Sequence, residues 1–428
     1  MNNPLLMKLC CQQKIKGGAL YYTVLLSFII TGILSAILYM NYLGNRSVDI
    51  SVMNDKLQRN VRSGIQLFVS DPSIAEYNKK TTVKLFEDDG DSISLTRIPW
   101  GGYDVIISGA KWRRYEYYRT ALTGAQYDEY PTALYMADEN KYLTVGGNTF
   151  IRGTCYLPKL GIRRGVIEGK FFKYEKEIQG TIDNSSKDLP EHTNNIAEFV
   201  KKYLTRPDSE TDSLVLFSEL RSAKISKTFL EQTLVIYDKG AISLRNIELS
   251  GNIVVIAEKK INVFTSARLK NIILISPEIF FENEFKGQLQ AFASDSLVLG
   301  TNVHLEFPSV IGLVNNNINT AYIILYEKSL IAGGIVLFQS NKPVKPSVVQ
   351  IDEKVKIYGT VYCEGIVEHK GEIYGSLYCR GFVLKTKSAY YDNHLLDAVI
   401  DFKGLPESYA GFNIFTNQKT MNVIDWLD

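Results

Sequence analysis

The residues able to do chemistry are few and scattered. Four histidines, His192, His304, His369 and His394, stand far apart with no HExxH pattern, so none has a partner at metal-ligand spacing. The five cysteines, Cys10, Cys11, Cys155, Cys363 and Cys379, form no CxxC pair, which argues against a zinc site and against a disulfide framework. There is no G-x-S-x-G elbow, P-loop or G-x-G-x-x-G after a strand, and the doublets Gly146-Gly147 and Gly333-Gly334 read as turns. Acid chemistry on a repetitive scaffold, as in a β-helical polysaccharide lyase or hydrolase, needs carboxylates stacked on one face of successive coils. The nearest set is Glu258, Glu278 and Asp295, which precede the recurring apolar residues Ile261, Ile279 and Leu297 by three, one and two positions. They form no column, and the expectation is a protein without enzymatic activity, cofactor or metal.

What stands out chemically is a pair of thiols in a repeat. Ile357 to Gly365 (IYGTVYCEG) recurs as Ile373 to Gly381 (IYGSLYCRG) at a spacing of 16. Glycine at a fixed place, Gly359 and Gly375, suits a coil corner with positive φ. Cys363 shares strand parity with Ile357 and Val361 and should point inward. Stacked coils would set Cys363 and Cys379 about 4.8 Å apart, within disulfide reach. Side chains in register on parallel strands point the same way, however, so two reduced, buried thiols are expected. Ile151 to Tyr156 (IRGTCY) is a weaker echo and hints that earlier chain joins the same stack.

These residues need a solenoid to position them. From Leu214 onward short apolar runs recur every 18 to 20 residues, with Ile253 to Ile256, Ile272 to Ile275 and Val310 to Val314 of one kind. Such periodicity without intervening helices predicts a right-handed parallel β-helix over residues 211–385. The alternative, a β-sandwich, would carry hairpin turn signals that are scarce here. Residues 386–428 break the repeat and read as a C-terminal cap, with a partner-binding tail as the other reading. The short-coil region 350–385 resembles polymer-forming β-helical proteins of the bactofilin kind.

The other end of the chain sets the location. Gly17 to Asn45 carry no charge, and Ala19 to Leu43 form a near-continuous apolar run. About 20 helical residues cross a bilayer, so a transmembrane helix over 19–43 is expected, with the lipid bilayer as partner. The run is too long for a cleavable signal peptide. Lys8, Lys14 and Lys16 precede it and Arg46, Lys56, Arg59 and Arg62 follow it, so the Lys/Arg count leaves the topology open. Beyond the span, Ile50, Met53, Leu57, Val61, Ile65 and Phe68 keep a helical period through an amphipathic extension, 44–70, until Asp71-Pro72 stops it. That face would serve a stalk docked on the next domain or a helix packed in an assembly.

A basic leader of residues 1–18 ending in glycine (KIKGG), a span opening ALYYTVLL, and the extension NDKLQRNVRSGIQL together resemble type IV pilin-like proteins of the minor-pilin type. The resemblance covers residues 8–68 and implies a candidate prepilin cleavage at Gly18. In that family a glutamate follows at the fifth mature position, where this chain has Thr23. It also implies a cytoplasmic N-terminus, an extracytoplasmic body, and other pilin-like or secretion-apparatus subunits as partners.

Between these parts, 71–210 reads as a small antiparallel sheet region. Ser92 to Ile98 alternates, Pro99 to Gly102 makes a turn, Tyr103 to Ser108 returns, and Lys111 to Arg119 (KWRRYEYYR) adds a third strand. Basic residues interleaved with aromatics can bind nucleic acid, but 48 Lys and Arg against 46 Asp and Glu leave a net charge of +2, and no nucleic-acid partner is expected. The whole reads as a mainly β, membrane-anchored structural protein, a pilin-like component of an envelope filament or secretion apparatus. A carbohydrate-binding adhesin and a β-helical lyase or hydrolase are the alternatives.

Overall fold

The computed structural model describes residues 18–84, 92–126, 132–205, 212–315, 318–339, 345–415 and 420–427. The expected leader, apart from Gly18, lies outside them, as do Cys10 and Cys11. Two compact units divide the chain, one ending at Arg59 and the other beginning at Asn60.

The first unit is helical wherever it is described. Helix α1 (Gly18–Ser70) contains a window of mean hydropathy 2.2 with none of it buried, long and apolar enough to cross a bilayer. Its few hydroxyls turn back on the helix: Thr23 donates to the Leu20 carbonyl at 2.9 Å, Ser27 to Val24 at 2.8 Å and Thr31 to Ser27 at 2.7 Å. These three bonds spare lipid the cost of three free hydroxyls.

In the second unit, the end of α1 lies on an antiparallel sheet of β1 (Lys80–Lys84), β2 (Ser92–Trp100), β3 (Tyr103–Trp112) and β4 (Tyr115–Gln126). Ile65 and Phe68 are buried against Ile93, Leu95 and Ile106. A Cβ on Gly64 would come within 2.7 Å of Ile93 and 2.6 Å of the Ser108 hydroxyl, so glycine allows the close approach. Lys111 to Arg119, expected as one strand, instead spans a hairpin: Trp112 pairs with Tyr115 across Arg113, which turns at φ 54°. The far edge of β4 is covered by Met421–Trp426 from the other end of the chain. The sheet is thus built from both sides of a long insertion.

That insertion is a parallel β-helix with three strand lines per coil. Lys224–Lys227 pairs with Glu248–Gly251, Leu234–Asp238 with Ile253–Ala257, and Ala241–Leu244 with Lys260–Val263. The 14-residue strand Arg268–Phe281 continues all three lines. Ile242, Ile261, Ile279, Leu297, Ile323, Val349, Val367 and Phe382 follow one another in register, and each is at most 1% exposed. The chain so stacks one apolar column through coils of differing length, because insertions loop out between strands while the inward residue keeps its place.

The antiparallel sheet occupies only part of the expected 71–210 region. Thr132–Met136 pairs with 377–379, Thr154–Leu157 pairs with Thr132–Met136, and Ile182–Asn184 pairs with Thr154–Leu157, all in parallel. Chain that precedes the solenoid in sequence therefore forms its far end, and the IRGTCY echo belongs to the stack. Residues 386–428 likewise do more than cap: Val399–Asp401 lies between 372–373 and Phe150–Arg152, while Met421–Trp426 completes the sheet. Both departures have one cause. Pairing between segments over 200 residues apart leaves no local periodicity to read.

A second core joins sheet to solenoid. Helix α2 (Asn195–Thr205) buries Ile196, Phe199, Val200 and Tyr203 with Trp100, Phe229 and the solenoid residues Val254, Ile273 and Val310. Buried Gln290 pins the β2–β3 turn, accepting from Gly102 N at 2.7 Å and donating to the Trp100 carbonyl at 2.8 Å.

Candidate functional site

The glycines and cysteines singled out in the repeat stand in register. Gly333, Gly359 and Gly375 pair in succession at φ 140°, 141° and 143°. A Cβ would lie 1.8 Å from the Gly333 oxygen at Gly359 and 1.9 Å from the Gly359 oxygen at Gly375, so no other residue fits this bend without displacing its neighbour. Gly153 repeats the feature at φ 130°. Cys363 pairs with Cys379 on adjacent strands, and both thiols are free and buried. Burial pushes the Cys363 thiol up to about 12 and Cys379 well above the usual range. Cys155, buried in a neighbouring column, is pushed up to about 12 for the same reason. Thiols held protonated in an apolar core are packing groups, since the thiolate is the reactive species. Gly18 opens α1.

The structure keeps the histidines apart, and no cluster of three metal-ligating side chains exists among the described residues. His304 is in register between Lys286 and Leu330 on a solenoid strand. His394 turns its Nδ1 to the Asp392 carbonyl at 2.6 Å. His369 is buried, its Nε2 3.0 Å from the Val399 carbonyl. His192 stacks on Phe338 with ring centroids 4.3 Å apart and reaches Glu364 at 3.3 Å. Burial opposes its charge, but Glu364 and the Thr193 carbonyl outweigh that and hold the imidazole above its usual range. The acidic set does not converge: Glu278 stands opposite Ser296, one residue off Asp295, and Glu258 accepts from the Tyr237 hydroxyl.

A polar junction that sequence reasoning missed lies where sheet, α2 and C-terminal chain meet. Asp104 is 2% exposed and accepts from Arg97 Nε at 2.9 Å and Nη2 at 2.6 Å, from Tyr77 at 3.2 Å and from Asn413 Nδ2 at 2.8 Å. Burial raises its carboxyl against the pull of Arg97. The guanidinium stacks over Tyr77 at 4.0 Å, and Asn195 at the head of α2 donates to the Tyr77 hydroxyl at 3.1 Å. Cavities of about 600 and 550 Å³ flank the Tyr77–Asn195 bridge. The first is lined by Trp100, Phe199 and Tyr203 under Glu198 and Lys202, and the second by Arg97, Thr193 and Phe415. The Arg97 guanidinium is paired with the buried Asp104 carboxylate, and the junction ties four chain segments together. Its only local signal was Arg97 and Asp104 flanking the hairpin turn; Asn413 is 309 residues away from Asp104.

No family model matches the chain, and no curated protein matches it. A solved structure to which it is similar is that of the competence-associated pilin ComZ from Thermus thermophilus, at 10% identity over 82% of this chain and 86% of that one, with a TM-score of 0.22. A score of that size demonstrates no common fold.

Proposed function

We propose that this protein is a non-catalytic, membrane-anchored structural subunit, a pilin-like component of an envelope filament or secretion apparatus, with a cytoplasmic N-terminus and an extracytoplasmic body. The observation that carries the reading is helix α1, whose early residues leave large apolar side chains open, Leu20 at 74% and Phe28 at 81% exposed, and whose last turns pack on an antiparallel sheet. A bilayer covers such a surface in the free subunit, and packing against like helices covers it in an assembly. The test is a photo-crosslinker placed at Phe28 or Ile33 in the protein's own membrane. Adducts with subunits bearing a comparable apolar N-terminal helix support the assembly; adducts with lipid alone reduce the role to simple anchoring.

A further inference from the structure

One face of the solenoid carries an aromatic ladder with a missing rung. Tyr358 and Tyr374 pair in register and stack with ring centroids 5.0 Å apart at 15°. The next position along this line is Ala332, paired with Tyr358. One coil further, Phe307 lies in the bulge between the Leu305↔Ile331 and Ser309↔Gly333 pairs, opposite Ala332. Two coil steps, about 9.6 Å at about 4.8 Å each, separate the strands that carry Phe307 and Tyr358. An alanine between them leaves a slot of about 360 Å³. Tyr409 walls the slot beside Phe307, at 5.3 Å between rings, with its hydroxyl committed to the Gly333 carbonyl at 2.6 Å.

The slot opens beside a bare strand edge. Val423 and Ile424 line it, and they belong to Met421–Trp426, which pairs with β4 on one side and with no strand on the other among the described residues. An unpaired edge next to a side-chain pocket is the arrangement that captures an extended segment, with backbone hydrogen bonds along the edge and specificity from the pocket. The lining selects the side chain. It holds no amide, carboxylate or cation, and its polar groups are three hydroxyls, those of Tyr358, Ser408 and Tyr409. Three hydroxyls, one of them committed to the Gly333 carbonyl, replace only part of the hydrogen bonding a sugar gives up there, whereas a flat apolar ring gains two aromatic walls.

The geometry points to this slot and edge as a docking site for an extended segment of a partner protein, which adds a strand to Met421–Trp426 and inserts an aromatic side chain between Phe307 and Tyr358. The site is separate from α1, so it stands or falls independently of the assembly reading above. It is tested with the full chain in detergent micelles and a capped five-residue strand peptide carrying a central tryptophan, followed by fluorescence anisotropy. The native protein should bind it, and replacing the tryptophan by alanine should weaken binding at least tenfold. Ala332→Phe supplies the missing rung from within the chain and should abolish binding without lowering the melting temperature. Phe307→Ala removes one wall and should weaken binding tenfold should Ala332→Phe fail to fold. Undiminished binding by a folded Ala332→Phe protein overturns the proposal, as do equal affinity for the alanine peptide, no binding of the tryptophan peptide at millimolar concentration, displacement by cellotriose, and free indole binding as tightly as the peptide.

Discussion

His369 should make the stability of the β-helix depend on pH in a calculable way. It ends the strand Lys356–His369, opposite Ile351 in the solenoid stack, and is 1% exposed. Nε2 is committed to the Val399 carbonyl at 3.0 Å, and Nδ1 has no hydrogen-bond partner. Charging the ring would put a second N–H in the core with nothing to receive it, so burial pushes the imidazole down to about 4 although the Val399 carbonyl pulls the other way. An unfolded histidine titrates near about 6.5. A depressed folded value means the unfolded chain takes up the proton first: the contribution is complete above about pH 6.5 and is lost as pH falls through about 4. That gap corresponds to about 3 kcal/mol in total, of which about 2 kcal/mol is gone by pH 5. Urea unfolding followed by tryptophan fluorescence at pH 7.5 and 5.0 measures this. His369→Gln keeps a donor for Val399 and cannot charge, so it should lose about 2 kcal/mol less than the native protein over that interval. His192 and the carboxylates titrate alike in both proteins and cancel. Equal losses in the two proteins would refute the buried-neutral assignment.

Three further outcomes follow from the same architecture. Gly359→Val and Gly375→Val should each destabilise the body by about 1–3 kcal/mol or more, the scale of a forced left-handed residue, with unchanged thermal unfolding in both showing that the bend tolerates a side chain. Native Cys155, Cys363 and Cys379 should resist alkylation at pH 8 and react only after denaturation, and a dominant Cys363–Cys379 disulfide peptide in a digest of the denatured, unreduced protein would contradict the parallel, inward orientation. Cysteines introduced after Asn45 should be labelled by an impermeant reagent from outside the cytoplasm; protection of every such site would remove the extracytoplasmic assignment.

Legibility in the sequence followed the reach of each interaction. The inward column through Ile261, Ile279 and Leu297 was visible because each coil repeats one short-range constraint, a large apolar residue under its neighbour. The Gly359 and Gly375 bends showed for the same reason, and the apolar face of α1 through Val61, Ile65 and Phe68 obeys a period of three or four residues. The closure of the sheet by Met421–Trp426 and the far coil made by Thr132–Met136 and Thr154–Leu157 depend on contacts between distant segments whose residues look like any other short strand. The Arg97–Asp104–Asn413 junction is hidden likewise, because a buried ion pair is specified by what surrounds it and not by a spacing. The slot over Ala332 is hidden most deeply, since it consists of the absence of a large residue at one rung.

That distant pairing changes how the body should unfold. A linear solenoid is held only by contacts between neighbouring coils, so its ends can open one coil at a time. Here the chain leaves β4, builds the far end of the stack at Thr132–Met136, and returns along one face before entering the first coil near Ser213. On its return it is fastened coil by coil: Tyr135 donates to the Asp188 carbonyl at 3.2 Å, Tyr362 to the Pro190 carbonyl at 3.0 Å, and His192 stacks on Phe338. The last strand then rejoins β4 on the sheet that also receives the end of α1. Neither end of the solenoid is an end of the chain, so a coil cannot be peeled off without first opening the sheet or the return segment. Gln290, on the coil strand Lys286–Leu299, ties that coil directly to the β2–β3 turn of the sheet. A single cooperative transition is the expected behaviour of this arrangement, in which the insertion is stapled shut by the domain that contains it.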